Sequence, residues 1–286
     1  MSEPLIIRVR VAATVEATWR AITDAQALET WFAEKAAVDL PNTYEFWGRY
    51  TPDGDAPHQR VLEVGEHSLK LGWTLDGVET TTEISVAAEG DATIVTVDQS
   101  HFVMQEAFDD SSIRGVLQTF WCLSLANLVD YLEGRPLTGL HDFTTTDFRI
   151  DTEIDAPLQR VYDSLLDSKE VSTWFGYPIE IEPWVGGRYA MGGFDAEFPP
   201  AKIVDLQPGK SVTVDWSANA DTGIGVQTWE LAESNGKTRL TFVQSGFDAQ
   251  HPPHAGWLGS VSGLAELRRY HEVPNWQPIY LQDEAA

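Results

Sequence analysis

Residues 12–32, AATVEATWRAITDAQALETWF, have a second copy 143 positions later, at residues 155–175, DAPLQRVYDSLLDSKEVSTWF. Trp31 aligns with Trp174, and the phenylalanine that follows each tryptophan is repeated as well. A spacing of this size is too long for a solenoid, whose units span roughly 20 to 50 residues. The repeat therefore predicts two copies of one globular domain.

The length of the chain agrees with two domains. With 286 residues, each copy has enough chain to bury an interior of its own. Gly134 can end a long helix and Pro136 prevents its continuation, so the stretch around them is the expected connector. We predict a first domain at 1–138 and a second at 139–286.

The charge and the cysteine content exclude several classes of protein. The formal net charge of −25 repels phosphate backbones and anionic lipids, which argues against nucleic-acid and membrane partners. The sequence contains no long apolar run and no recognisable targeting segment at its start, so we expect a cytoplasmic protein. Cys122, the single cysteine, lies in an apolar helical run and is expected to be an inert core residue.

Hydrophobic periodicity gives the same order of elements in both halves. In the first half a strand at Leu5–Val11 precedes two short helices, and a long amphipathic helix at 112–132 follows a run of strands. Short turns between these strands predict sequential antiparallel pairing. The predicted strands are 43–50, 59–64, 68–75, 80–88 and 93–99.

The second half ends differently from the first. Its closing helix is predicted at about 254–270, and residues 272–286 follow as a tail with two prolines. We expect this tail to pack in an extended form over a surface, with the other domain as one option.

Several motifs of the second half carry a family resemblance. They are IDAPLQRVYDSL at 154–165, STWF at 172–175, VGGRY at 185–189, TRLTFVQSGF at 238–247 and AGW at 255–257. Together they resemble the helix-grip fold of the START-like, or SRPBCC, superfamily. Within it, they are most similar to the bacterial family related to the C-terminal domain of heat-shock protein 90 ATPase activators.

The resemblance implies an α+β fold with two tandem helix-grip domains. Each would be a curved antiparallel sheet, with two short helices, wrapped around one long C-terminal helix. The first half departs from the pattern, since it has TYEF at 43–46 where the second half has GGRY at 186–189. It also has Phe120 in place of Gly256. We therefore predict that the second domain keeps the more family-like cavity.

The helix-grip fold implies a cavity between the long helix and the sheet, of the kind that holds small molecules. Core packing alone is the alternative for each residue that faces it, and a satisfied structural amide is the alternative for the two glutamines. The candidates are Trp31, Phe46, Trp73, Ile84, Val97, Gln99, Phe120 and Ser124 in the first domain, and Trp174, Tyr189, Met191, Trp216, Trp229, Phe242, Gln244 and Ser260 in the second.

Residues for catalysis or metal binding are sparse. The sequence has no nucleophile elbow, phosphate loop or HExxH motif, and its histidines do not recur at equivalent positions. His251 and His254 flank two prolines without a third ligand nearby, so we expect no metal and no cofactor. Glu83, Glu230 and Arg188 are poor candidates for an acid or base in a pocket.

Three functions remain open on this evidence. The first is a non-catalytic binding protein that holds a hydrophobic small molecule. The second is an enzyme of the polyketide cyclase type, which needs a titratable group deep in a pocket. The third is a chaperone-ATPase regulator or another protein-interaction module, by analogy with the family that the motifs resemble.

Overall fold

The computed structural model describes residues 4–103, 106, 112–217 and 223–281. The chain forms two compact units. Unit 1 comprises Met1–Thr145 together with Ile279–Ala286, and unit 2 comprises Thr146–Pro278. The division at Thr145 lies later than the boundary predicted at residue 138. The final residues, which were predicted as part of the second domain, belong to unit 1.

Unit 1 has the predicted order of a strand, two short helices, a run of strands and a long helix. Strand β1 is the edge of a five-stranded antiparallel sheet with the order β1-β7-β6-β5-β4, and β2 and β3 form a separate two-stranded sheet. The elements are β1 (Leu5–Val11), α1 (Val15–Thr23), α2 (Ala25–Trp31), β2 (Lys35–Asp39), β3 (Thr43–Trp47), β4 (Gln59–Val64), β5 (Ser68–Leu75), β6 (Val78–Glu89), β7 (Ala92–Gln99) and α3 (Ile113–Leu132).

Local signals explain where these helices begin. The side chain of Thr14 accepts a hydrogen bond from the backbone N–H of Ala17 at 3.2 Å, and Asp24 does the same for Ala27 at 2.8 Å. Each cap satisfies an N–H group that has no partner within the helix. The strand predicted at 43–50 ends earlier, at Trp47, because Gly48 adopts a φ of 104° and turns the chain.

Unit 2 repeats the order of elements. Its sheet has seven strands in the order β8-β14-β13-β12-β11-β10-β9, and each pair is antiparallel. The elements are β8 (Phe148–Ile154), α4 (Leu158–Ser164), α5 (Ser168–Phe175), β9 (Ile179–Ile181), β10 (Arg188–Met191), β11 (Ala201–Gln207), β12 (Ser211–Asp215), β13 (Val226–Ser234), β14 (Lys237–Ser245) and α6 (His254–Glu272).

The hairpin that follows the two short helices joins the sheet in unit 2 but not in unit 1. In unit 2, β10 pairs with β11 through Arg188 opposite Lys202 and Tyr189 opposite Ala201. In unit 1, the corresponding hairpin β2–β3 stays a sheet of its own. The pairing in unit 2 extends the sheet, so that Tyr189 lies on the same surface as the aromatic residues of the next strands.

In both units the long helix packs against the sheet through a tryptophan. Trp121 of α3 lies 6.3 Å from Trp73 of β5, measured between ring centroids, and Trp257 of α6 lies 5.2 Å from Phe242 of β14. Both tryptophans are buried. This packing of one long helix on an antiparallel sheet, twice in the chain, is the helix-grip fold that the motifs predict.

Part of the predicted tail lies extended against the sheet of unit 1. Residues 279–281 run antiparallel to β1, with Tyr280 opposite Val9. None of the helices in the described ranges combines the length and the apolarity needed to cross a bilayer.

Candidate functional site

The interior of unit 1 is filled by aromatic rings around Phe32. The Phe32 ring centroid lies 4.8 Å from that of Phe46 and 5.6 Å from those of Phe120 and Trp121. Phe46 in turn lies 5.1 Å from Trp73. All five side chains are at most 2% exposed. Rings at these distances are in van der Waals contact and leave little room between helix and sheet.

Gln99 lies among these rings and has partners for its whole amide. Its Oε1 accepts hydrogen bonds from the hydroxyl of Thr82 at 2.7 Å and from Nε1 of Trp121 at 3.3 Å. Its Nε2 donates to the carbonyl oxygen of Ser100 at 2.9 Å. The amide therefore links β6, β7 and α3, which is the structural role that the sequence left as an alternative.

The interior of unit 2 is also aromatic. The ring of Tyr189 lies 5.9 Å from Trp216 and 6.4 Å from Trp229, while Trp229 contacts Phe242 at 5.1 Å. Tyr189 and Trp229 are each 8% exposed, more than any ring of the unit 1 cluster. Burial raises the pKa of the Tyr189 hydroxyl, so the group stays protonated and can donate a hydrogen bond.

A chain of polar groups runs from the sheet to α6 in unit 2. Nε1 of Trp216 donates to Oε1 of Gln227 at 3.1 Å, and Nε2 of Gln227 donates to the hydroxyl of Ser260 at 3.0 Å. The Ser260 hydroxyl donates to the carbonyl oxygen of Gly256 at 3.0 Å. Nearby in the same sheet, Gln244 donates to the carbonyl oxygen of Ile224, but its buried Oε1 has no partner among the described residues.

Two replacements distinguish the interiors of the two units. Gly256 of α6 aligns with Phe120 of α3, so the second long helix has no ring at this position, and a Cβ added there would lie 3.3 Å from Cγ1 of Ile224. Phe175 is the equivalent of Phe32. Its ring lies 5.9 Å from Trp174 and beside Gly263 instead of among the sheet aromatics. Phe175 is half-buried. At the positions of Phe32 and Phe120, unit 2 therefore has no ring that packs among its sheet aromatics.

A sequence profile of the family described as activator of Hsp90 ATPase homolog 1-like protein matches residues 12–133 and again residues 155–268. The two matches cover most of the chain. The chain belongs to this family. No curated protein matches it.

Several solved structures are similar to this member of the family. DynU16, a protein of the dynemicin biosynthetic locus, is 17% identical, with 95% of this chain and 100% of that chain covered and a TM-score of 0.40. The Aha1 dimer from Colwellia psychrerythraea is 18% identical, with 45% and 98% covered and a TM-score of 0.39. CalU16 from Micromonospora echinospora is 25% identical, with 47% and 77% covered and a TM-score of 0.37.

The structure gathers most of the predicted lining residues of this family member inside their units. Trp31 and Trp174 are both buried, and each donates through Nε1 to a backbone carbonyl oxygen of the preceding short helix, that of Ala21 at 3.0 Å and that of Ser164 at 3.1 Å. The two tryptophans thus fix one short helix to the next. Ile84, Val97 and Ser124 are buried in unit 1, whereas Met191 and Ser260 are half-buried in unit 2.

Two further residues contribute to the unit 2 interior and were not predicted. Gln227 carries the polar chain from Trp216 to Ser260, and Phe198 lies 6.0 Å from Trp216. Gln227 stands two positions before Trp229 on the same strand, so its inward direction could have been read from the period of two. Phe198 lies in a loop, where no periodicity exists to place it.

The charged residues considered for catalysis lie outside these interiors. Glu83 forms an ion pair with Lys70 at 3.3 Å, Glu230 with Arg149 at 3.8 Å, and Arg188 with Glu182 at 2.8 Å, and at least one side chain of each pair is more than 40% exposed. Burial raises the pKa of the Cys122 thiol to about 12, so it is not a nucleophile.

The two histidines that flank the proline pair have separate surroundings. Nδ1 of His251 lies 3.0 Å from a carboxylate oxygen of Asp248 on the surface, and the His254 ring packs 5.5 Å from Phe148. Within the described ranges, no group of three potential metal ligands comes together.

Proposed function

We propose that the chain is a non-catalytic binding protein that holds a hydrophobic small molecule in unit 2, between α6 and the sheet. The observation that carries this proposal is the replacement of Phe120 by Gly256. A ring that fills unit 1 has no counterpart at this point of unit 2. A concave space lined by aromatic rings with a few polar groups is the usual form of a small-molecule site.

The groups around this space favour a neutral ligand. Tyr189, Trp216 and Trp229 supply flat apolar surfaces, and the Tyr189 hydroxyl makes no hydrogen bond to another described residue. The charged candidates Glu230 and Arg188 face away from it. The net charge of −25 also disfavours anions. The second domain would then have the more family-like cavity, and unit 1 would serve as a filled partner domain.

A fluorescent probe can test this site. We expect 1-aminoanthracene, a neutral apolar dye, to bind one site per chain, and the variant Gly256→Phe to raise its Kd by at least about tenfold, since the new ring takes the space. Gly256 accepts a side chain without a backbone clash, because the nearest atom to an added Cβ is Cγ1 of Ile224 at 3.3 Å. The measurement is dye titration followed by fluorescence.

The matched control places the same ring on the other side of the sheet. Glu230→Phe adds a phenylalanine to the outer face of β13 and should leave the Kd unchanged. Both variants must keep the thermal unfolding profile of the wild type. Absence of dye binding by the wild type, or equal binding by Gly256→Phe, would refute the proposed site.

The description of the family supports a second candidate, a regulator of a chaperone ATPase. A binding assay with a purified Hsp90-type chaperone, together with its ATPase rate, separates this candidate from the first. A change in that rate at stoichiometric concentrations would favour the regulator. A cyclase-like enzyme has less support, because burial holds the Tyr189 hydroxyl in its neutral form, unsuited to act as a base.

A further inference from the structure

The side chain of Gln244 in β14 holds a buried hydrogen-bond acceptor that unit 2 does not use. The residue is 3% exposed, and its Nε2 donates to the carbonyl oxygen of Ile224 at 2.8 Å. Because a carbonyl oxygen accepts only from a donor, this bond fixes which end of the amide is the nitrogen. The remaining atom, Oε1, receives no hydrogen bond from the described part of the chain. Buried amide oxygens without a donor are rare, since they lose the hydrogen bonds that water would give them.

The equivalent oxygen of unit 1 has two donors. Thr82 stands directly opposite Gln99 in the pairing of β6 with β7, and its hydroxyl donates to Oε1 of Gln99 at 2.7 Å. Trp121 of α3 donates to the same oxygen through Nε1 at 3.3 Å. In unit 1, therefore, one donor comes from the sheet and one from the long helix.

In unit 2 the donor from the sheet is used elsewhere. Gln227 stands opposite Gln244 in the pairing of β13 with β14, at the position that Thr82 holds in unit 1. Its Oε1 accepts from Trp216 and its Nε2 donates to Ser260. The amide of Gln227 therefore connects β12 with α6 and leaves the neighbouring glutamine oxygen without a donor.

The donor from the long helix is also absent. Trp257 of α6 stacks between Phe148 and Phe242, with 5.2 Å between ring centroids and interplanar angles of 28° and 15°. The strand registers place Leu5 and Val97 at these two positions in unit 1, so no such stack exists there. Held in this stack, the indole does not donate to the glutamine oxygen.

The unused oxygen lies at the site that the proposed function gives to the ligand. Ile224, which accepts the other end of the Gln244 amide, is also the residue nearest to Gly256, since its Cγ1 would lie 3.3 Å from an added Cβ. The neighbouring Gln227 reaches Ser260, one turn further along α6. Gln244 is thus beneath the first turns of α6, beside the position where the helix has no ring.

We propose, on the basis of this site, that the ligand of unit 2 is a neutral aromatic alcohol or amine whose O–H or N–H donates to Oε1 of Gln244. A site with a buried polar group rejects an analogue that lacks the matching group, because the polar atom is then left unpaired. Gln244 therefore determines specificity. It selects an aromatic molecule with a donor over a hydrocarbon of the same shape.

The test compares 2-naphthol with 2-methylnaphthalene, in which a methyl group replaces the hydroxyl. Both are titrated against the full-length chain with bound 1-aminoanthracene, and dye fluorescence gives their Kd values. Gln244→Met removes the oxygen and keeps the length of the side chain. We expect the ratio of the Kd of 2-methylnaphthalene to that of 2-naphthol to fall by about fivefold or more in this variant, because the hydrogen bond to the hydroxyl is lost. Taking the ratio cancels the difference in hydrophobicity between the two compounds.

The matched control removes an amide from the surface of the same sheet. Gln207→Met changes the exposed last residue of β11, whose Nε2 donates to Asp205 at 3.0 Å, and should leave the ratio as in the wild type. If Gln244→Met does not fold, Gln244→Leu takes its place. An unchanged ratio in the folded variant overturns the role of Gln244 while the dye site stands. If neither the dye nor 2-naphthol binds the wild type, the proposed function fails together with it.

Discussion

At the scale of single residues, Gln99 and Gln244 occupy equivalent positions with different surroundings. Both end an inward-facing row of their strand. Gln99 forms hydrogen bonds with Thr82, Ser100 and Trp121, whereas Gln244 donates one to the carbonyl oxygen of Ile224. Buried polar groups cost free energy when they lose a partner. The effect of removing each amide should therefore differ.

We predict that Gln99→Leu lowers the free energy of unfolding of unit 1 by about 2–4 kcal/mol, because it leaves Trp121 and Thr82 without an acceptor. Gln244→Leu should cost only about 1 kcal/mol, since it removes one hydrogen bond to the carbonyl oxygen of Ile224 and an oxygen that has no partner in the described part of the chain. Urea unfolding of both variants measures the difference. Equal losses would contradict the prediction.

His271 provides a pH dependence for unit 2. Its Nε2 lies 2.9 Å from the buried hydroxyl of Ser164, and burial, together with the nearby Arg160, lowers the pKa of the ring from 6.5 to about 4. The unfolded chain takes up a proton near pH 6.5, whereas the folded unit does so only near pH 4. Stability is therefore complete above pH 6.5 and declines between pH 6.5 and 4.

We expect this decline to reach about 1–2 kcal/mol, because the ring is partly exposed and solvent screens part of the effect. His271→Gln can keep a hydrogen bond to Ser164 but cannot titrate. The difference in unfolding free energy between wild type and His271→Gln should therefore change between pH 7 and pH 4. A constant difference would show that His271 does not titrate on unfolding. Denaturant unfolding at four pH values measures it.

At the scale of elements, the contact between α5 and α6 depends on a glycine. A Cβ at Gly263 would lie 2.8 Å and 2.9 Å from ring carbons of Phe175, and 3.6 Å from Trp174. In unit 1 the corresponding position of α3 holds Asn127, and Phe32 points into the aromatic cluster instead. The close approach at Gly263 is linked to the outward position of Phe175.

We predict that Gly263→Ala destabilises unit 2 by about 1–2 kcal/mol, since Phe175 must move to make room. The matched control is Gly256→Ala on the same helix, where the nearest atom to the added Cβ is 3.3 Å away at the mobile side chain of Ile224. There the gain in helix propensity, up to about 1 kcal/mol, offsets the crowding. Thermal unfolding should thus show a clear loss for Gly263→Ala and little change for Gly256→Ala, and a loss of the same size in both would contradict this account.

At the scale of the whole molecule, the acidic surface determines the response to salt. The net charge of −25 destabilises the folded state, because like charges lie closer together in it than in the unfolded chain. The Debye length falls from about 30 Å at 0.01 M salt to about 3 Å at 1 M. Raising NaCl from low concentration to 0.5 M should therefore raise the Tm of the chain by a few degrees. Tetramethylammonium chloride at equal ionic strength is the control for specific ion effects, and a falling Tm in both salts would exclude the explanation.

Particular residues show which strands and interior positions could be predicted from the sequence. The alternation of Leu69, Leu71 and Trp73 placed β5 with its correct bounds, since a strand with one buried face needs this period. Strand β2 was not predicted, because KAAVD is short and does not alternate clearly. Phe198 could not be placed in the interior, since it belongs to a loop whose path depends on the strands around it.

The sequence by itself determined the repeat and the order of elements, because these follow from local periodicity and from a stretch that occurs twice, and the resemblance of its motifs to a known family implied the helix-grip fold. The tertiary structure alone decided that Phe32 packs into unit 1 while Phe175 packs beside Gly263 in unit 2. It also decided that residues 279–281 complete the edge of the first sheet. Both outcomes depend on which surfaces meet across long stretches of chain, and hydrophobic periodicity records that a residue is buried without recording its partner.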